Sequence, residues 1–331
     1  MPQQSSFRTI DLHADLPLDI VRRRKSGTNQ VLETRHLQKL RKGLVSTLIA
    51  PIYVEGRHKP NKALRRGLQI ADSFFEDLDE APHFQLVQKN EDLEDAERER
   101  KIGLVLGVEG GELIEDDLDL LRFFHRLGVR CFGLMWNQRN LMADGYDHLL
   151  EDQGLTEFGR QVIWELEKLR IIVDLARMAP RSFWDVMKIA KRPLIVSHAT
   201  TTRHKGLRNM TDEQLKAVAH NGGVVGILAV DLVMDGIETI PDLETYCDHI
   251  EYAVKIMGPE HVGLGPDFYD YYADDLHTLT PNQQHKFVRG LEDHSKLSAV
   301  ITELSRRGLS NADIHMICHD NFVRVFKEVV G

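Results

Sequence analysis

A histidine and an aspartate stand two residues apart near the start of the chain, within an apolar run. His13 and Asp15 fall in residues 9–16, which we predict to be the first β-strand. Side chains alternate along a strand, so these two would point in the same direction. The imidazole offers a nitrogen and the carboxylate an oxygen, a pair that suits zinc or another first-row metal. A His-x-Asp tripeptide is common by chance. It therefore indicates a metal site only if other predicted strands end in similar residues.

Three later apolar runs end in residues of the same kinds. Glu109, His198 and Asp267 each stand at the end of such a run. Taken singly, a histidine at a strand end is usually a hydrogen-bonded structural residue. An aspartate or glutamate there is usually a helix cap or an ion-pair partner. Two imidazoles and three carboxylates, all at predicted strand ends, favour one shared metal-type site.

The elements that position these residues alternate regularly between buried strands and helices. Eight apolar runs separated by helical patterns predict an α/β fold of the (β/α)8 barrel type, in which the active site lies at the C-terminal ends of the strands. A doubly wound sheet is the alternative, but no Gly-x-Gly-x-x-Gly follows the first strand to support it. No linker or internal repeat is visible, so residues 1–331 are predicted to form a single domain. The predicted strands are 9–16, 43–53, 102–108, 129–136, 171–175, 193–198, 223–230 and 261–267.

The composition of the chain excludes several classes of function. Its 331 residues carry a formal net charge of −9, which argues against a general nucleic-acid-binding protein. No apolar run approaches the roughly 20 residues of a membrane span, and the first residues lack the pattern of a signal peptide. The three cysteines lie far apart, as in proteins of a reducing compartment. We therefore expect a cytoplasmic protein with neither a membrane nor a nucleic acid as its partner.

Six motifs together resemble those of a known family. The chain is similar, from about residue 9 to its C-terminus, to the membrane (renal) dipeptidase family of zinc peptidases, which are amidohydrolase-type barrels. The motifs stand in the family's order and with near-family spacing. They are DLHADL at 11–16, VEGG at 108–111, DLAR at 174–177, IVSH at 195–198, RNMTD at 208–212 and GLGPDF at 263–268.

The resemblance implies a site with two zinc ions that share one bridging carboxylate. His13 and Asp15 match ligands of the first ion, Glu109 matches the bridge, and His198 matches one ligand of the second ion. The other ligand of the second ion should be a histidine, but Arg177 stands at that position. A guanidinium has no lone pair to offer a metal. We therefore expect one or two zinc ions, with one favoured.

The resemblance also implies roles toward a substrate. Arg208 matches a residue that binds the substrate carboxylate, a task that suits the forked guanidinium, and the structural alternative is a surface arginine before a helix. Trp136 and Asn137 stand where the mammalian enzymes have a substrate-contacting histidine, although Trp136 is equally compatible with core packing. Asp267 is expected to take a proton from the attacking water and pass it to the leaving amine. The family resemblance further suggests a homodimer.

Arg177 leaves two functions open. In the first, the protein is a zinc-dependent dipeptidase whose substrates are dipeptides, including those with a D-residue, or N-acyl amino acids. Arg177 then contacts the substrate and supplies the charge of the missing ion. In the second, the site no longer catalyses a reaction and the barrel binds a ligand. The presence of Asp267, the expected proton carrier, beside four metal-type residues favours the enzyme.

Overall fold

Eight parallel strands close into a barrel in the computed structural model, which describes residues 7–203, 209–230, 241–272 and 287–331. Two further short strands pair with the barrel strands, and the pairings are parallel. The ten strands found in these ranges are β1 (Thr9–Asp11), β2 (Val45–Tyr53), β3 (Phe84–Leu86), β4 (Ile102–Glu109), β5 (Cys131–Gly133), β6 (Ile172–Asp174), β7 (Ile195–Thr201), β8 (Asn209–Met210), β9 (Val224–Ile227) and β10 (Val262–Leu264).

Hydrogen bonding around the barrel follows the order β2, β1, β10, β9, β7, β6, β5 and β4, and β4 returns to β2. The closing pair is the longest, with Thr47 opposite Gly103 at one end and Tyr53 opposite Glu109 at the other. β3 lies beside β4, and β8 lies beside β7. Because β2 and β4 pair, the sheet has no free edge there, which confirms the barrel and excludes the doubly wound sheet. The single-domain organisation stays a prediction.

Helices follow most of the strands. The α-helices in the described ranges are α1 (Leu16–Lys25), α2 (Leu37–Lys42), α3 (Ala63–Asp79), α4 (Asn90–Glu99), α5 (Leu118–Leu127), α6 (Glu157–Leu169), α7 (Pro180–Ile189), α8 (Asp212–His220), α9 (Leu243–Met257), α10 (Leu297–Arg306), α11 (Asn311–His315) and α12 (Asn321–Val329). A capping box begins α8, in which Thr211 accepts a hydrogen bond from the Gln214 amide. Within the described part of the chain, no helix is both long and apolar enough to cross a membrane.

The interior of the barrel is filled with apolar side chains and is closed at one end by the last helix. Ile10, Ile49 and Val105 pack in one cluster with Phe322 and other residues of α12. That helix is also fixed by hydrogen bonds to the N-terminal ends of the strands, for example from Asn321 Nδ2 to the carbonyl oxygen of Val262 at 2.8 Å. The opposite end, where the strands finish, is the mouth of the barrel. In barrels of this type a functional site lies at that end.

The first strand is shorter than predicted. The prediction extends it over 9–16, but β1 ends at Asp11 because the Asp11 carboxylate accepts a hydrogen bond from the His13 amide at 2.9 Å, and α1 begins at Leu16. His13 and Asp15 therefore stand on the turn between β1 and α1, and the expected alternation along a strand is wrong for them. The other seven predicted strands are present, most with shorter bounds.

Three strands approach so closely beneath the mouth that only glycine fits between them. A Cβ atom on Gly265, just after β10, would lie 1.8 Å from the carbonyl oxygen of Ser197 in β7. One on Gly226 in β9 would lie 2.1 Å from the same atom. A backbone oxygen cannot swing aside as the end of a flexible side chain can. These glycines therefore let β7, β9 and β10 approach one another beneath His198, which follows Ser197, and Asp267, which stands two residues after Gly265.

We expect Gly265→Ala to lower the free energy of unfolding by about 2–3 kcal/mol, because the added methyl group overlaps a fixed backbone. Gly56→Ala is the matched control, since a Cβ there meets no atom within 4 Å, and its effect should stay below about 0.5 kcal/mol. Urea denaturation followed by circular dichroism measures both changes. Equal stabilities for the two variants would contradict the close approach.

Candidate metal site at the barrel mouth

Six polar side chains meet at the C-terminal end of the barrel. They are placed by five strands or by the turns that follow those strands, and His13, Glu109 and His198 are buried. The sequence predicts all six as site residues, and the structure brings them together. They are His13 and Asp15 after β1, Glu109 at the end of β4, Arg177 after β6, His198 in β7 and Asp267 after β10.

The imidazole of His13 faces three carboxylates. Its Nε2 lies 3.7 Å from Glu109 Oε2, 3.8 Å from Asp15 Oδ1 and 3.9 Å from Asp267 Oδ1. This nitrogen is buried and has no hydrogen-bond partner among the described residues. Ligand atoms around a tetrahedral ion with bonds of roughly 2.0–2.2 Å lie about 3.3–3.6 Å apart. The donors are thus close to the spacing that a divalent ion requires, and their nitrogen and oxygen atoms suit zinc.

The charged groups at this point of the mouth shift one another's pKa values. Burial opposes a charge on His13, but Glu109, Asp267 and Asp15 outweigh it and raise the pKa of the imidazole. Burial also raises the pKa of the Asp15 carboxyl to about 7, against the opposing effect of His13. Three carboxylates in a site with little water repel one another. A bound cation would relieve that repulsion, so the charges as well as the spacing fit a divalent ion.

A buried carboxylate beneath the site holds His13 in place. Asp11 accepts a hydrogen bond from the His13 amide through one oxygen and lies 2.8 Å from His294 Nε2 through the other. Asp11 and His294 are both buried. The contact joins the first strand to a residue 283 positions later. Sequence reasoning does not select His294, because no motif around it indicates which residue it contacts.

Arg177 lies among the other site residues and contacts four of them. Its Nε lies 2.5 Å from Glu109 Oε1 and donates a hydrogen bond to His198 Nε2 at 3.0 Å. Its Nη1 donates to Asn137 Oδ1 at 3.2 Å, and its Nη2 donates to Asp267 Oδ2 at 3.3 Å. The contact with Glu109 is an ion pair and not an aligned hydrogen bond. Burial opposes the charge, but Glu109 and Asp267 raise the pKa of the guanidinium, which stays protonated.

These contacts occupy the place of a second cation. The Nε2 lone pair of His198 accepts a hydrogen bond from Arg177 Nε, and the Nδ1 of His198 lies 2.8 Å from Ser197 Oγ. A metal between Glu109 and His198 would have to displace a guanidinium that is only 10% exposed. His198 lies within reach of a metal shared with His13 and Glu109, but its Nε2 already accepts the hydrogen bond from Arg177. The residues therefore do not fit a second divalent ion.

The backbone is strained at two of these positions. Arg177 has a φ angle of 63° and Asp267 has one of 56°. Both lie in the left-handed region, which residues other than glycine adopt rarely and at a cost of about 1–3 kcal/mol. The two strained residues contact each other through Arg177 Nη2 and Asp267 Oδ2. Strained residues that meet at a strand end are typical of functional sites.

The remaining predicted site residues have different outcomes. Trp136 places its ring 5.8 Å from the Arg177 guanidinium carbon, and Asn137 accepts the hydrogen bond described above. Arg208 lies outside the described residues. Sequence reasoning does not select Lys59, whose ammonium group lies 5.3 Å from the centre of the Trp136 ring. Lys59 stands in a loop of mixed polar residues, and that composition does not distinguish a functional lysine from an ordinary surface one.

Comparisons with known proteins agree with the fold and the motifs. The sequence profile of the family described as "Membrane dipeptidase (Peptidase family M19)" matches residues 3–330. Dipeptidase 3 from Homo sapiens is 27% identical over 337 residues, which cover 98% of this chain and 65% of that protein. Dipeptidase 3 from Mus musculus is 26% identical, with 98% and 64% covered. The chain thus spans slightly less than two thirds of the length of these relatives.

Solved structures share the architecture. The dipeptidase AC, a metallopeptidase of family M19, superposes with a TM-score of 0.87 at 22% identity, covering 99% of this chain and 100% of that one. A metallopeptidase from Rhodobacter sphaeroides, solved with a phosphinate mimic of the dipeptide L-Ala-D-Ala, gives a TM-score of 0.86 at 21% identity, with 98% and 99% covered. The family profile over almost the whole chain confirms the resemblance that the six motifs suggest. The chain belongs to the membrane dipeptidase family, peptidase family M19.

Proposed function

We propose that this protein is a metal-dependent hydrolase that cleaves the peptide bond of dipeptides. The observation that carries the proposal is the buried Nε2 of His13, which faces three carboxylates at the mouth of a barrel. The relatives in the family are dipeptidases by name. The Rhodobacter sphaeroides protein was solved with a mimic of an L,D-dipeptide, which supports including D-residues among the substrates.

One zinc ion per chain is the metal content that the contacts support. His13, Asp15 and Glu109 would hold it, since both carboxylates lie within 4 Å of His13 Nε2, and Asp267 stands beside them. When bound, such an ion supplies Lewis acidity and lowers the pKa of water toward neutrality. Other contacts of the protein position two of these residues. The His13 amide donates a hydrogen bond to Asp11, and Glu109 ends a fully buried strand. A second ion is not part of the proposal.

Asp267 is the proposed proton carrier. Its Oδ1 lies 3.9 Å from His13 Nε2, and its Oδ2 accepts a hydrogen bond from Arg177. The carboxylate would accept a proton from the attacking water and deliver it to the amine that leaves. The guanidinium of Arg177 orients this carboxylate. Arg177 therefore helps to position the group that carries the proton and also supplies positive charge to the site.

Arg177 is the proposed substitute for the second cation. A guanidinium held by Glu109, His198 and Asn137 cannot reorient freely. A fixed positive charge placed beforehand stabilises an oxygen that becomes negative during acyl transfer. Trp136 lies against the guanidinium and keeps that side of the mouth apolar. Arg208 is proposed to bind the free carboxylate of the substrate.

A second candidate function follows from the same arginine. Arg177 stands where the two-ion family pattern has a histidine. The alternative function is therefore hydrolysis of N-acyl amino acids, or binding of a ligand without turnover. The assay that separates these possibilities uses one sample of the full chain, loaded with zinc and desalted. Hydrolysis of dipeptides supports the main proposal. Hydrolysis of N-acyl amino acids alone, or of neither class, would replace it.

We expect the wild-type protein to bind one zinc ion per chain and Arg177→His to bind close to two, because the new imidazole can complete the second site. Elemental mass spectrometry after desalting measures the ratio. Arg181→His is the matched control, since Arg181 is exposed four residues further on, and it should leave the ratio at one. A ratio of two in the wild type, or no increase in Arg177→His, would contradict the role given to Arg177.

We expect Asp267→Asn to lower kcat by a factor of about 10²–10⁴ because the amide cannot carry a proton, while zinc per chain stays unchanged. The control is Asp116→Asn, which makes the same exchange at an exposed position after β4, and its kcat should stay within about twofold of the wild type. Parallel assays of turnover and metal content are needed. Full activity in Asp267→Asn would remove Asp267 from the mechanism.

A further inference from the structure

Lys59 turns its ammonium group inward from an exposed loop. The loop connects β2 to α3, and Gly56, Arg57 and Lys62 in it are exposed. The side chain of Lys59 is only 8% exposed. Lysine normally keeps its charge in water, since burying an ammonium group costs free energy unless it is paired. An inward lysine on such a loop therefore has either a structural role or a role in binding a ligand.

Two aromatic rings surround the ammonium group. Lys59 Nζ lies 5.4 Å from the centre of the Tyr53 ring and 5.3 Å from the centre of the Trp136 ring. The rings themselves are 5.3 Å apart. Such contacts stabilise a cation modestly and accept none of its hydrogen bonds in the usual sense. The aromatic wall thus leaves the three N–H donors of the ammonium group to other acceptors.

One carboxylate lies near, and it does not satisfy those donors. Glu112 Oε2 is 3.2 Å from Lys59 Nζ. In the described part of the chain, however, neither of these two buried atoms takes part in an aligned hydrogen bond. A single carboxylate could in any case accept only part of what a three-donor group offers. Lys59 is therefore held by charge and still has donors to offer to a further acceptor.

This lysine adjoins the metal-type site. A Cβ atom on Gly110, the residue after Glu109, would lie 3.0 Å from Lys59 Nζ. Lys59 is also among the charges that lower the pKa of Glu109, after Arg177 and His13. The Trp136 ring contacts both cations, with Lys59 Nζ at 5.3 Å and the Arg177 guanidinium carbon at 5.8 Å from its centre. The spare donors therefore belong to the mouth and not to the outer surface.

We propose that Lys59 is a specificity-determining residue of this site and that its ammonium group binds a carboxylate of the substrate. The inference rests on the proposed hydrolysis of dipeptides. A carboxylate is the group that pairs best with a partly desolvated ammonium. Because the free C-terminus of the substrate is assigned to Arg208, the carboxylate proposed for Lys59 is that of an acidic side chain. It would enter beside Glu112, between the loop and the aromatic wall.

The test compares two pairs of substrates that differ in one side-chain carboxylate, Glu-Ala against Gln-Ala and Ala-Glu against Ala-Gln. A third pair, Ala-Ala against its C-terminal amide, examines the terminal carboxylate that is assigned to Arg208. We expect the zinc-loaded wild type to prefer the acidic member of at least one side-chain pair by tenfold or more in kcat/KM, about what a charged hydrogen bond supplies. The pair that shows the preference identifies the residue of the dipeptide that Lys59 contacts.

Four variants separate binding from a structural role. Lys59→Met should abolish the preference, measured as the ratio of kcat/KM for the acidic and the neutral member of the same pair. Lys59→Arg should keep it, because the charge remains. Lys62→Met, an equal change at an exposed position of the loop, should leave it unaltered. Glu112→Gln should also keep it, whereas a merely structural ion pair would make Glu112→Gln and Lys59→Met behave alike.

Three results would overturn the proposal. They are a wild type without a preference in either side-chain pair, a side-chain preference that survives in Lys59→Met, and equal losses of that preference in Lys59→Met and Glu112→Gln. If the wild type cleaves none of the neutral substrates, dipeptide hydrolysis itself has failed. The same peptides are then titrated calorimetrically onto the same proteins. A tenfold tighter Kd for the acidic member that is lost in Lys59→Met supports the lysine, and equal Kd values overturn it.

Discussion

The ion pair between Arg177 and Glu109 is the contact on which the mouth of the barrel depends. Both side chains are buried, and buried charges persist only when they are paired. The pair fixes Glu109 between His13 on one side and the guanidinium on the other. Arg177 also donates hydrogen bonds to His198 Nε2 and to Asp267 Oδ2, which orient both side chains. Removing either partner would leave a charge without compensation, so the mouth could not relax to a simpler arrangement.

The barrel turns this local contact into a fixed geometry. The strands end at one rim because β2 and β4 close the circle, and α12 seals the other end. Beneath the rim, the Asp11 carboxylate joins His13 to His294, and two glycines let β7, β9 and β10 approach. The six mouth residues come from distant parts of the chain. Rigid strands below them allow a preorganised set of charges, which loops alone would not provide.

Much of the fold and most of the candidate site follow from the sequence. Apolar runs indicate all eight barrel strands, and the polar residues at their ends lead to His13, Glu109, His198 and Asp267. The end of β1 does not follow, because the Asp11 side chain competes locally with strand geometry. The contact of Arg177 with His198 depends on a left-handed backbone and a side-chain rotamer that no pattern reveals. Lys59 and His294 are invisible for another reason, since their partners are distant or lie on irregular loops.

The left-handed backbone at Arg177 and Asp267 has a consequence for how this protein changes under selection. Glycine or asparagine would relieve the strain at both positions. At Arg177 the exchange would leave the buried Glu109 carboxylate without its partner, so only at Asp267 does it gain fold stability while it removes a charge of the mouth. Thermal robustness and chemistry thus pull position 267 in opposite directions. A laboratory lineage selected only for heat resistance would be drawn to replace Asp267 early. A lineage that must keep turning over substrate would have to gain its stability elsewhere, for example on the outer helices.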